Sequence, residues 1–168
     1  MSGYSDRELD DIRQRWKIRF PPDLMDIYRK RRSVLPKDDF DWIRTPRHQI
    51  QSMMDWPLEG MLFDVENNVF WLKEWGEKPK SKSAREEIVR AALAAAPKLI
   101  PVHGHRYIPE TPHARGNPVF SVHQTDIIYY GANLADYILH ETHKPRGVIP
   151  PFRRIPFWSR FEDEVPLG

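Results

Sequence analysis

Histidine, arginine and aspartate concentrate in two short turns of the sequence, and these residues set out the chemistry the chain could perform. One turn reads His103-Gly104-His105-Arg106 and the other His123-Gln124-Thr125-Asp126. If the flanking strands run up and down in order, both turns fall at the same end of a sheet. His105 and His123 then occupy neighbouring strands about 5 Å apart. Imidazole and carboxylate are the ligands that a cysteine-free zinc or manganese site would use, so His103, His105, His123 and Asp126 are the candidates for a metal or general-base site. The sequence has no HExxH helix and no defined three-ligand spacing, and the plainer reading pairs these histidines with backbone groups or leaves them facing solvent.

Other constellations are weaker. Ser121 and His123 alternate on one strand face, but no orienting acid or GxSxG elbow accompanies them. Arg29-Lys30-Arg31-Arg32, with Arg153 and Arg154 far downstream, could bind phosphate. Four consecutive helical residues spread around the axis, so a solvated helix end is the simpler expectation. Asp38, Asp39 and Asp41 lie in a proline-bounded stretch and read as solvating charge. Phe70, Trp71, Trp75 and Tyr107 are of the type that stacks bases, although aromatic residues in such runs more often fill a core. Glycine-rich phosphate loops are absent, because the 8 glycines are not grouped.

The elements that must position these residues follow from pattern and punctuation. Ser5 and Glu8 form a capping box for a first amphipathic helix carrying Leu9, Ile12, Trp16 and Phe20. Pro21 and Pro22 end it and start a second helix with Leu24, Ile27 and Tyr28 inward. Thr45-Pro46 opens a third, which Trp56-Pro57 is expected to stop. Met61 to Val65 and Val69 to Leu72 read as a hairpin around Glu66-Asn67-Asn68. Ser83 and Glu86 suggest a second capping box before a helix that ends at Pro97. Leu99 to Val102, His105 to Ile108, Val119 to Val122 and Ile127 to Tyr130 then read as an antiparallel meander. Asn133 caps a following helix, with Leu134, Tyr137 and Ile138 facing the core. In the tail, Phe157, Trp158 and Phe161 follow Pro156 at helical spacing. They either close over the domain's own sheet or anchor a partner.

Together these elements predict an α+β domain with an antiparallel sheet of about six strands, covered by helices on one face. A length of 168 residues suits a single domain over 1–168, with 144–168 as a proline- and aromatic-rich tail packing on the domain or a partner. With 26 basic and 24 acidic side chains, the net charge of +2 does not by itself point to nucleic acid. The lack of cysteine removes disulfides and thiolate chemistry and suits a reducing cytoplasm. The polar start lacks the apolar run of an export signal. The most apolar window, Ile88 to Val102, is broken by Arg90, Pro97, Lys98 and Pro101, so membrane insertion is not expected. The composition points to no cofactor.

Three segments carry a resemblance to a known family. They are FPPDLMDIY at Phe20 to Tyr28, GMLFDVENNVFWLKEWG at Gly60 to Gly76, and GNPVFSVHQTDIIYYGANLADYI at Gly116 to Ile138. Together they resemble the SUKH superfamily, which includes fungal cell-wall-assembly regulators and many bacterial immunity proteins. The chain departs from that pattern at RKRRSVLP, where an Asn-Gly turn is usual, and the stretch from Asp38 to Thr45 and the tail after Lys144 look like additions. The resemblance implies a non-catalytic domain that acts by protein contact, often neutralising a toxin directed at nucleic acid, and it transfers no catalytic residue. Trp71, Trp75, His105, Arg106, Phe157 and Trp158 are the residues offered for such contact. A regulatory adaptor of the same family is the related alternative. A metal-dependent hydrolase using the histidine group is the alternative from a different class.

Overall fold

The computed structural model describes residues 2–163, so the last five residues of the expected tail lie outside the described residues. Helix α1 spans Asp6–Trp16 and α2 spans Pro22–Lys30. The capping box forms as the sequence predicts: Glu8 N–H donates to Ser5 Oγ at 3.1 Å, and Ser5 N–H donates to the Glu8 carboxylate at 3.0 Å. Proline at the first position of α2 loses no intrahelical hydrogen bond.

Helix α3 corrects the reading of the middle of the chain. It runs without interruption over Arg47–Asn67, so Trp56-Pro57 does not stop it and the expected hairpin from Met61 to Leu72 does not form. The short β-prone run Met61 to Val65 is overridden by a longer helical stripe. Ile50, Pro57, Met61 and Val65, spaced by seven, four and four residues along one helical face, are all buried. Pro57 removes the N–H that would bond the Met53 carbonyl, one helical turn back. Tyr107, reaching from the sheet, supplies the missing donor: its hydroxyl donates to Met53 O at 2.6 Å. A short 3-10 turn at Lys73–Trp75 follows, and then α4 at Lys82–Ala95, which is capped by Ser81 rather than by the expected Ser83.

Among the described residues the sheet has four strands, β1 (Leu99–His103), β2 (Arg106–Pro109), β3 (Val119–His123) and β4 (Asp126–Gly131), antiparallel in the order β1-β2-β3-β4. The meander is as the sequence predicts, but with the hairpin absent the sheet falls short of six strands. Helix α5 (Leu134–Glu141) follows, and Asn133 caps it by accepting from Asp136 N–H at 2.8 Å. Gly131 is required where β4 meets α5, because a Cβ there would lie 2.4 Å from Tyr137 Cβ.

Helices cover both faces of the sheet, not one. Leu99, Ile100, Pro101 and Val102 are all buried, a run in which both alternating sets of side chains find a cover. Ile100, Val102, Ile108 and Val119 join a first core with Leu9, Leu24, Tyr28, Trp42 and Tyr137. Leu99, Tyr107, Phe120 and Val122 join a second with Met61, Val65 and Val89. The tail completes the second core. Ile155, Trp158 and Phe161 are buried there, and Trp158 Nε1 donates to Pro97 O at 2.7 Å. Among the described residues of this segment only Arg160–Asp163 is helical (α6), because Phe157 adopts φ 70° and turns the chain before it. Glu162 covers the outer edge of β4 by accepting from Tyr129 N–H at 3.0 Å.

Of the stretch read as solvating charge, Asp39 is exposed as expected, but Asp41 is a buried hub. Asp41 is 7% exposed and accepts from the Ile43 and Arg44 N–H groups, each at 2.8 Å, and from Arg32 Nε at 2.6 Å. Arg32 also donates to Glu8 at 3.0 Å and lies 4.3 Å from the centre of the Tyr4 ring. Arg31 donates to the Ser33 and Val34 carbonyls. The end of α2 is therefore bonded into the fold where a solvated run was expected. Arg153 is likewise engaged, donating to Asn117 Oδ1 at 2.7 Å.

Candidate functional site

Both histidine turns lie at one end of the sheet, as the meander requires. His103 pairs with Arg106 and His123 with Asp126, leaving Gly104-His105 and Gln124-Thr125 as the two-residue hairpin turns. Gly104 and Gln124 adopt positive φ of 50° and 57°, a conformation these tight turns favour. Helix α3 passes close beside the second turn. A Cβ on Gly60 would lie 2.8 Å from Gln124 Cα, so glycine lets the helix touch the turn backbone. Asp64 of α3, 4% exposed, holds the same turn by accepting from Thr125 N–H at 2.8 Å and Thr125 Oγ1 at 2.6 Å.

That close passage brings Trp56 onto the histidines. Its ring stacks on His105 with centroids 4.4 Å apart and planes at 15°, and it meets His123 edge-on at 6.0 Å. Trp56 Nε1 donates to Val122 O at 2.7 Å, which fixes the indole against the sheet. The His105 and His123 rings are 6.0 Å apart. Burial, then the nearby His123 and Arg106, hold the His105 imidazole below its ordinary pKa. His103 takes a separate partner, its Nδ1 lying 3.0 Å from Asp38 Oδ2.

An open cleft of about 410 Å³ lies between this turn end, α3 and the loop before it. Asp38, Asp39, Phe40, Trp56, His103 and His105 are among its lining residues. Tyr107 lines its inner side, and burial raises the pKa of its phenol.

The candidate residues thus divide. His105 and His123 come together around Trp56, while His103 is drawn to Asp38. Among the described residues, no group of three or more His, Asp or Glu side chains is placed to hold a metal ion, so Asp126 does not complete a ligand set with the histidines. Ser121 does not engage His123: its hydroxyl accepts from Arg106 at 2.7 Å, and Arg106 also donates to Glu141 at 2.9 Å and lies 3.7 Å from the centre of the Tyr130 ring. Trp71 and Trp75, with ring centroids 5.0 Å apart, are half-buried against the second core with Phe70. Phe157 is half-buried against the same core, and Trp158, at 2% exposure, is withdrawn from the surface.

Sequence reasoning missed Trp56 and Asp38 as site residues. Trp56 was hidden by the proline after it, although the stripe from Ile50 to Val65 would have carried the helix past both. Asp38 meets His103 across 65 positions, a pairing for which no local signal exists. Comparison with protein-family models, with curated proteins and with solved structures finds no match. No helix among the described residues is long and apolar enough to cross a membrane.

Proposed function

We propose that the chain is a non-catalytic protein-binding domain. It works as the SUKH-type immunity proteins it resembles do, holding a cognate toxin by direct contact. One observation carries this reading: the cleft at the turn end is open, yet the side chains best suited to chemistry around it are tied into the fold. His103 is bonded to Asp38 and the Tyr107 hydroxyl is spent on Met53 O, while Ser121, outside the cleft, accepts from Arg106. A concave surface with aromatic walls and fixed polar groups suits recognition. A hydrolase of the metal-dependent class would need a further ligand beside His105 and His123, and the described residues supply no such group of three. A regulatory adaptor would use the same surface on a different partner.

The reading is tested by expressing the product of the adjacent gene and titrating it with this protein. A stoichiometric complex that abolishes the toxin's activity is the expected result. A neighbouring product that is no toxin, or a toxin that neither binds nor loses activity, would remove the proposal.

A further inference from the structure

The cleft at the turn end differs in charge from the chain around it. The chain carries a net charge of +2, but the cleft is lined by Asp38 and Asp39 and by no lysine or arginine. A wider cleft beside α2 and α5, about 640 Å³, makes the contrast clear. It contains Asp23 and Asp26 but also Lys30, Arg31 and Arg115, and Arg115 bonds Asp26 at 2.6 Å. Its three basic side chains outnumber its two carboxylates. In the first cleft, Asp38 is partly engaged, accepting from Phe40 N–H at 3.1 Å and lying against His103, while Asp39 is exposed. The half-buried Phe40 and Trp56 add ring surface to the lining.

We infer that this cleft receives an arginine side chain of the protein partner, an inference that rests on the binding reading above. Carboxylates beside flat aromatic walls match a guanidinium on both counts: the group is planar, permanently charged, weakly hydrated, and able to bond carboxylate while lying on a ring. Lysine satisfies the charge but not the stacking. An anionic or purely apolar side chain would desolvate the exposed Asp39 carboxylate without offering it a donor. The partner therefore presents a basic residue at the centre of its contact surface.

The experiment uses the ¹⁵N-labelled full chain titrated with N-acetyl-arginine N-methylamide, with the lysine and glutamate counterparts in parallel. The expected result is saturable shifts of the Trp56 indole N–H and the Gly104 amide with the arginine probe, weaker shifts with lysine and none with glutamate. Asp39→Asn, at an exposed position, should reduce the arginine affinity about tenfold while leaving the remaining spectrum dispersed. Asp39→Ser provides a second variant with the same expectation. Absence of saturable shifts at Trp56 and Gly104, equal shifts with glutamate, or unchanged affinity in both variants would overturn the inference. If the toxin still binds while the arginine probe does not, this inference falls alone. If the probe binds but no toxin is neutralised, the immunity reading falls and the cation site remains.

Discussion

The two faces of the sheet are sealed to different extents, and the difference locates the candidate site. On the first face, α1, α2, α5 and the loop before α3 close over the strands with Tyr28, Trp42 and Tyr137, all 1% exposed or less. That loop is tied by Asp41 and Arg32, and Trp42 Nε1 donates to Tyr28 Oη at 3.0 Å. On the second face, α3, α4 and the tail bury Met61, Val89 and Trp158, but at the turn end the cover gives way to a half-buried Trp56 on an exposed His105. The same residue type thus serves two purposes. Trp42 fills a closed core, and Trp56 forms the wall of an open cleft.

The largest expected effect tests that distinction directly. Trp42→Ala removes a fully buried indole that contacts Trp16, Phe20 and Phe40, and it should cost about 4 kcal/mol in chemical denaturation. Trp56→Ala removes a half-exposed ring and one hydrogen bond and should cost about 1.5 kcal/mol. Equal losses for the two variants would erase the contrast between the faces.

Asp41→Asn comes next and sharpens the account of the first face. Burial raises the Asp41 pKa, but the hydrogen bonds from Arg32 and from the Arg44 and Ile43 N–H groups outweigh it, so the carboxyl sits below its usual range. The Arg32 and Asp41 side chains retain 13% and 10% exposure, so breaking the pair should cost about 2 kcal/mol at neutral pH, less than for a fully dry pair. Because the folded pKa is depressed, this stability is present above the unfolded carboxylate pKa of about 3.9 and is lost as pH falls through the lower folded value. The gap between the native chain and Asp41→Asn, followed by urea denaturation, should therefore narrow in acid. A gap that stays constant to low pH would show that Asp41 acts through shape rather than charge.

Much of this architecture is legible in local signals. The caps at Ser5 and Asn133, the proline that opens α2, and the four-strand meander are set by short stretches whose physics agrees with the fold. The aromatic set of the tail signals burial but leaves its site open between the domain and a partner; Trp158 and Phe161 pack in the second core. What is not legible depends on distant partners. Pro57 reads as a helix stop because its missing hydrogen bond is visible in the sequence, whereas the compensating Tyr107 hydroxyl is 50 residues away. Asp41 reads as solvated because Arg32 reaches it only once the loop has folded. The cleft is the extreme case: Asp38, Trp56 and His105 come from a loop, a helix and a turn, and no spacing rule joins them.

The smallest effect concerns the open end of the second face. His105 is held below its ordinary pKa by burial first, and then by His123 and Arg106. A base with a depressed folded pKa favours the neutral ring in the native state, so on acidification the unfolded chain takes up this proton first. His105 then works against stability as pH falls below about 6.5 and has no effect well above it. Replacing His123 by glutamine removes one neighbouring positive charge while leaving Trp56 stacked on His105. The His105 midpoint, followed through its ring proton by NMR, should rise toward the ordinary value without reaching it, because burial and Arg106 remain. A midpoint that does not move would leave burial by Trp56 and the charge of Arg106 as the remaining causes. In that case Trp56→Ala should raise the midpoint where His123→Gln does not, which separates the contribution of the cleft wall from that of the neighbouring turn.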